Sequence, residues 1–227
     1  MIRISCDVVG RPETRILVSP ADSHYLGVVM RRRMGDMVEV LASDGQVWLG
    51  EWIGDGQVLL KQLAPPGWVP RRHVILYQAL LKNDRFSEVV DRATQVGVSQ
   101  IVPLVTDRCI VRDMTDNRLA RWRAIAKEAS EQCRRSNLLQ VGELMTASRL
   151  SAQPQTESYV LAPLGIADRP WLHESVAPLE LVVGPEGGLT PSEIEKLAQK
   201  GFRPLSLGEQ IFRSENAGSF AALLFLQ

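Results

Sequence analysis

Short β-type apolar runs dominate the first third of the chain: "IRISCDVV", "RILVS", "DMVEVLAS", "QVWLGEWI" and "QVLLKQL", with the turn dipeptides Asp44-Gly45 and Asp55-Gly56 among them. The pattern predicts a small barrel or curled sheet. One helix interrupts it. Ser19-Pro20-Ala21-Asp22 is a capping-box pattern with proline at the first helical position, and the helix is expected to run to about Arg32. Arg31, Arg32 and Arg33 would stand at its end, where cations suit the negative pole of the helix dipole.

Residues 62–72, "QLAPPGWVPRR", hold three prolines and a glycine with no apolar period, the pattern of a boundary between domains 1–70 and 71–227. Beyond it the rhythm changes. "VILYQAL" reads as a strand, and "DRFSEVVDRATQVG" as an amphipathic helix with Phe86, Val89, Val90, Ala93 and Val96 on one side and Gly97 as its stop. "SQIVPLVT", "SYVLAPL", "LELVV" and "RPLSL" are further strands. "RLARWRAIAKEASEQCRR", "PSEIEKLAQK" and "ENAGSFAALLFL" are further helices. Strands alternating with helices predict an α/β fold, a largely parallel sheet with helices on both faces.

Composition narrows the function classes. The chain has 227 residues, enough for one or two domains of roughly 100–150 residues. Lys+Arg and Asp+Glu balance at 26 each, so no global field favours nucleic acid and any RNA contact must come from local basic patches such as 31–33, Arg71-Arg72 and Arg134-Arg135. Cys6, Cys109 and Cys133 are far apart and form no C-x-x-C pair, which argues against a disulfide framework or a zinc site; no metal is expected. The N-terminus lacks a signal pattern and the longest late apolar run, "FAALLFL", is too short to span a membrane, so a cytoplasmic location is expected.

Ligands in open α/β sheets bind at the carboxyl ends of strands. Three such ends stand out: "LAPLG" at 161–165, "GPEGG" at 184–188 and "LGEQIFRSEN" at 207–216. A phosphate cradle at GPEGG is disfavoured. The lysine of the Walker pattern and the spacing of G-x-G-x-x-G are both missing, and Glu186 would repel a phosphate. Thr190-Pro191-Ser192-Glu193 matches a capping box, which explains the helix start without a ligand. The glycines then suit a flat uncharged ring, or a cation near Glu186, or form a tight turn that touches nothing. Ser214 is the expected N-cap of the last helix.

With "VVMRRRMGDMVEV", "ALLKNDRFSEVVDRATQVGVSQIVPLVTDRCIV", "EASEQCRR", "LVVGPEGGLTPSE" and "LGEQIFRSENA" in that order, the chain resembles the RsmE family, SPOUT-class methyltransferases of uridine N3 in 16S ribosomal RNA. The resemblance implies a PUA-like β-barrel that helps hold RNA, a C-terminal domain whose end threads a trefoil knot, and a homodimer. It implies S-adenosylmethionine as cofactor and, as substrate, a uridine near the decoding region of the small subunit. Carried onto this sequence, the cofactor loops are Leu161, Ala162 and Pro163; Gly184, Pro185, Glu186, Gly187 and Gly188; and Leu207, Gly208 and Ile211, with Asn216 beyond them. Arg213 and Glu215 would stand beside the methyl group as catalytic residues, and Arg3, Arg31, Arg32 and Lys82 would face RNA. The chain departs from the usual pattern at Gln210, Phe212 and Asn216.

On this reading Arg213 would stabilise negative charge on the uracil oxygens. The proton acceptor stays open between Glu215, which as a carboxylate beside Arg213 should be a poor base, and water. His24, His73 and His173 fall outside the loops. Two alternatives stand beside it: a ribose 2'-hydroxyl or transfer-RNA guanine methyltransferase of the same class, and a non-catalytic ribosome-assembly module that binds RNA.

Overall fold

The computed structural model describes residues 1–166 and 169–227. The chain divides into two compact units, one made of Met1–Val69 with Ser130–Asn137, the other of Pro70–Ala129 with Leu138–Gln227.

The first unit is a curled sheet of β1 (Arg3–Ser5), β2 (Arg15–Leu17), β3 (Met37–Leu41), β4 (Val47–Gly54) and β5 (Gln57–Leu63) in the order β1-β3-β4-β5-β2. Alternate residues of these strands point inward, so Ile4, Val38, Val40, Trp48, Trp52, Val58 and Leu60 form one core, closed by Leu26. Asp55 and Gly56, both at positive φ, turn β4 into β5 as the sequence predicts. The helix is shorter than expected. Ser19 accepts from the Asp22 amide and starts α1 (Pro20–His24), which passes into a π-helical turn, Tyr25–Val29. Arg31 then takes φ 50°, a left-handed conformation that ends the helix before the three arginines.

The second unit is a parallel sheet in the order β12-β10-β11-β6-β7-β8, with β9 also paired to β7. Its strands are β6 (Val74–Ala79), β7 (Gln100–Val105), β8 (Gln140–Val141), β9 (Met145–Thr146), β10 (Glu157–Ile166), β11 (Leu179–Val183) and β12 (Arg203–Leu205). Its helices are α2 (Arg85–Val96), α4 (Pro191–Gln199) and α5 (Ser214–Leu226), with most of α3 (Asp116–Gln132). Both faces of the sheet are covered. Leu179, Leu181 and Val183 of β11 join the core shared with α2, α3 and α5, whereas Val182 joins the one with Leu197 of α4 and Phe202. The two-residue strands β8 and β9 have no counterpart in the sequence pattern, being too short to show a period.

Candidate functional site

Three chain segments, residues 161–163 within β10 and the loops that follow β11 and β12, enclose a cavity of about 740 Å³. Each owes its shape to local rules. Leu161 and Ile166 of β10 both register against Leu205, so the residues between them bulge from the ladder. After β11, the Gly188 amide donates to the Pro185 carbonyl at 2.8 Å and closes a tight turn, with Gly188 at φ 69°. Gly184 must be glycine for lack of room: a β-carbon there would lie 2.9 Å from both the carbonyl carbon of Gly188 and the nitrogen of Leu189. The predicted capping box then starts α4, Glu193 N donating to Thr190 Oγ1 at 3.1 Å and Thr190 N to Glu193 Oε2 at 2.8 Å.

Neighbouring elements pin this loop. The Glu186 carboxylate accepts from the Lys82 amide at 2.9 Å, so it holds the segment that follows β6 as well as lining the cavity. Arg108 Nη1 donates to the Gly187 carbonyl at 2.7 Å. Ser214 is not the N-cap of α5; Arg213 occupies that position in extended conformation, and the Ser214 hydroxyl donates to the Gly184 carbonyl. Gln78, fully buried on β6, donates from Nε2 to Ser214 Oγ at 3.0 Å. A chain of hydrogen bonds thus runs from the sheet through α5 to the glycine loop.

Leu161, Ala162, Pro163, residues 184–188, Leu207, Gly208, Ile211, Arg213 and Glu215 all line this cavity. Asn216 does not. It follows Glu215 on α5, and one helical residue is a rotation of about 100°, which carries its side chain off the wall. Phe212, one of the departures from the family pattern, packs edge-on against Phe220 with ring centres 5.3 Å apart. Arg85, Arg108 and Ser214 also line the cavity; the sequence marks Ser214 only as a cap and gives no sign of the other two, because their positions depend on which strand ends meet.

Glu215 is buried, and its closest cation is Arg85, with Nη1 3.6 Å from Oε1, rather than Arg213 as expected. Its Oε2 is buried with no hydrogen-bond partner. Arg213 is exposed at the cavity edge. An unpartnered carboxylate oxygen among close-set glycines and apolar side chains fits a cationic ligand with a flat uncharged ring. The volume falls within the ~300–1,000 Å³ of small-molecule sites. Among the described residues no cluster of His, Cys, Asp and Glu could hold a metal, and no helix is long and apolar enough to cross a membrane.

Of the residues expected at RNA, Lys82 is exposed beside the Glu186 contact. Arg31 is exposed at its turn, and Arg32 lies 3.8 Å from Asp36. Arg3 is a correction. Its guanidinium is buried, with Nε 2.8 Å from Glu39 and Nη1 donating to the Arg135 carbonyl, because β1 lays its side chain against the edge of β3 and the 130–137 segment.

Residues 69–226 match the family model of the RNA methyltransferase domain. The chain is 32% identical over 222 residues to the ribosomal RNA small subunit methyltransferase E of Synechocystis sp., covering 92% of this chain and 72% of the relative. It is similar in structure to a methyltransferase of Legionella pneumophila in complex with the bound cofactor SAM, with a TM-score of 0.89, 25% identity, and 99% and 96% of the two chains covered. The ribosomal RNA small subunit methyltransferase E of Neisseria gonorrhoeae, bound to S-adenosyl methionine, shares the fold at a TM-score of 0.90 and 22% identity, with 98% and 95% covered.

Proposed function

The chain belongs to the ribosomal RNA small subunit methyltransferase E family, and from that premise we propose that it methylates N3 of a uridine in 16S ribosomal RNA, near the decoding region, as a cytoplasmic homodimer. The observation that carries this reading is the cavity itself: part of β10 and the loops after β11 and β12 close round it, with Arg213 and Glu215 on its wall. S-adenosylmethionine would supply an activated methyl group on a positively charged sulfur. Residues 161–163, 184–188 and 207–211 would hold it, the glycine loop accepting a flat ring against its backbone.

The chain's own residues then do three things. They position two reactants in line and keep water out, which supplies much of the acceleration in a displacement of this kind. Arg213 would donate hydrogen bonds to the uracil oxygens and so favour loss of the N3 proton. Glu215 would stand ready with Oε2, among the described residues the one carboxylate oxygen in the wall that is buried and unpartnered, either to take that proton or to balance positive charge. The uridine must be unpaired to reach them.

The test is incubation of the protein with labelled S-adenosylmethionine and unmodified small subunits, followed by location of the labelled nucleotide. Label on uridine N3 is expected; label on a ribose or a guanine, or none, would overturn the reading. Arg213→Ala should lower kcat by about 10²–10³, as for loss of one transition-state hydrogen-bond donor, while cofactor affinity by calorimetry changes little. Equal loss of both would show that Arg213 serves binding instead.

A further inference from the structure

A second cavity of about 260 Å³ opens at the carboxyl ends of β7 and β9, against α4. Its walls carry three cations, Arg112, Lys196 and Lys200, and two carboxylates, Asp107 and Glu193. Glu193 is fully engaged: Oε1 accepts from the Asp107 amide at 2.8 Å and Oε2 serves the capping box. One nitrogen of Arg112 lies 3.3–3.5 Å from the carbonyls of Thr106, Asp107 and Cys109, which fixes the guanidinium without neutralising it. Lys200 donates to the Ser148 carbonyl, again keeping its charge. Among the described residues, neither the Lys196 ammonium nor the Asp107 carboxylate has a hydrogen-bond or ion-pair partner.

The volume lies below the ~300–1,000 Å³ of sites that enclose a whole small-molecule ligand, so it suits one unit of a longer one. Three cations against two carboxylates leave the wall net positive, and the Glu193 oxygens are already taken by backbone amides, so the cations suit a phosphate. The free Asp107 carboxylate would repel that phosphate but accept a hydroxyl placed next to it, and in RNA the ribose 2'-hydroxyl is such a neighbour. The loop at 106–112 runs between the two cavities: Asp107 and Arg112 line the smaller, and Arg108 lines the larger and holds Gly187. We infer that the smaller cavity seats one ribose-phosphate of the RNA strand beside the target nucleotide, with Arg112, Lys196 and Lys200 on the phosphate and Asp107 on the 2'-hydroxyl. This rests on the methyl-transfer reading for the identity of the strand.

The test compares the full chain with Lys196→Gln and Asp107→Asn in filter binding of small-subunit ribosomal RNA, and of DNA of the same sequence, across a salt series without cofactor. Lys196→Gln should weaken RNA binding several-fold and lower the slope of log affinity against log salt by about 1. Asp107→Asn relieves the repulsion of the phosphate for both nucleic acids but weakens the acceptor for the 2'-hydroxyl, so it should raise DNA affinity more than RNA affinity, narrowing the preference between them. Melting temperatures of both variants should match the wild type, and so should their affinity for S-adenosylmethionine. An unchanged salt slope, an equal effect of Asp107→Asn on RNA and DNA, or loss of cofactor affinity would each overturn the proposal. So would inorganic phosphate raising the melting temperature of the wild type and not of Lys196→Gln while RNA affinity stays equal, since the cavity would then take a free anion. A wild type that transfers no methyl group overturns the methyl-transfer reading alone, because the binding comparison is made without turnover.

Discussion

Gly184 meets the backbone of its own loop, and its side-chain-free α-carbon is what lets the turn close. Adding one methyl group at 2.9 Å from Gly188 and Leu189 must push the loop outward, because both contacts are backbone atoms that cannot rotate away. Gly184→Ala should therefore leave the fold intact at a cost of about 1–3 kcal/mol, the usual range for overpacking. Cofactor affinity should fall by tenfold or more, since the Ser214 hydrogen bond to the Gly184 carbonyl is displaced with it. Calorimetry of the variant against the wild type checks both halves, and unchanged affinity would reduce the loop to a structural turn. At this scale the sequence was informative where partners are close in the chain. The Thr190 to Glu193 box is legible because its groups are three residues apart. Ser214 reads as a cap in the sequence but is not one, because its partner, Gly184, is 30 residues away and is brought near only by the sheet order.

Among elements, β11 shows how a strand can be read correctly and its content missed. "LELVV" is fully buried, as an apolar run should be, yet it carries Glu180 at 0% exposure. That carboxylate survives burial because Tyr77 Oη donates to Oε1 at 3.0 Å, and Ser158 Oγ and the Gln153 amide donate to Oε2 at 2.7 and 3.2 Å. The donors come from β6, β10 and the segment leading into β10, so the cluster ties three adjacent strands together; no single-strand pattern could reveal it. Burial, with Glu180 beside it, pushes the Tyr77 phenol well above its ordinary value of about 10. A phenol with a raised folded-state pKa stays protonated in the native chain while the unfolded chain ionises. Its stabilising effect is thus fully present below about pH 10 and is lost as pH rises beyond that. Tyr77→Phe should cost about 1–3 kcal/mol near neutral pH by depriving Glu180 Oε1 of its donor. It should also flatten the alkaline decline. Urea midpoints of both proteins at about pH 8 and pH 10.5 check this. Tyr159, also raised by burial, declines equally in both, so the difference belongs to Tyr77.

For the whole molecule, the change from β-type runs to strand-helix alternation is legible because a curled sheet and a two-faced parallel sheet impose different apolar periods. What that rhythm cannot carry is a short segment that leaves one unit and packs in the other. Residues Ser130–Asn137 lie far along the chain, yet they belong to the first unit. Ser5 donates to Glu131 Oε1 from both its amide and its hydroxyl at 2.7 Å, Trp68 Nε1 donates to the Cys133 carbonyl at 2.9 Å, and Arg3 reaches the Arg135 carbonyl. Arg135 itself is completely buried there, with its guanidinium 5.8 Å from the Trp68 ring centre and its pKa lowered by that burial. A fragment cut at the proline-rich stretch, residues 1–69, would keep all five strands and lose every one of these partners. It would leave Arg3 with Glu39 but without its carbonyl acceptor, and would strip the already exposed Trp68 of the Cys133 carbonyl and the Arg135 guanidinium. Fragment 1–69 should therefore melt at least 10 °C below a version to which residues 130–137 are joined by a flexible linker, since a few kcal/mol shifts a domain of this size by roughly 4–8 °C each. Thermal unfolding followed by circular dichroism decides it, and equal melting temperatures would mean that the five-stranded sheet is complete in itself.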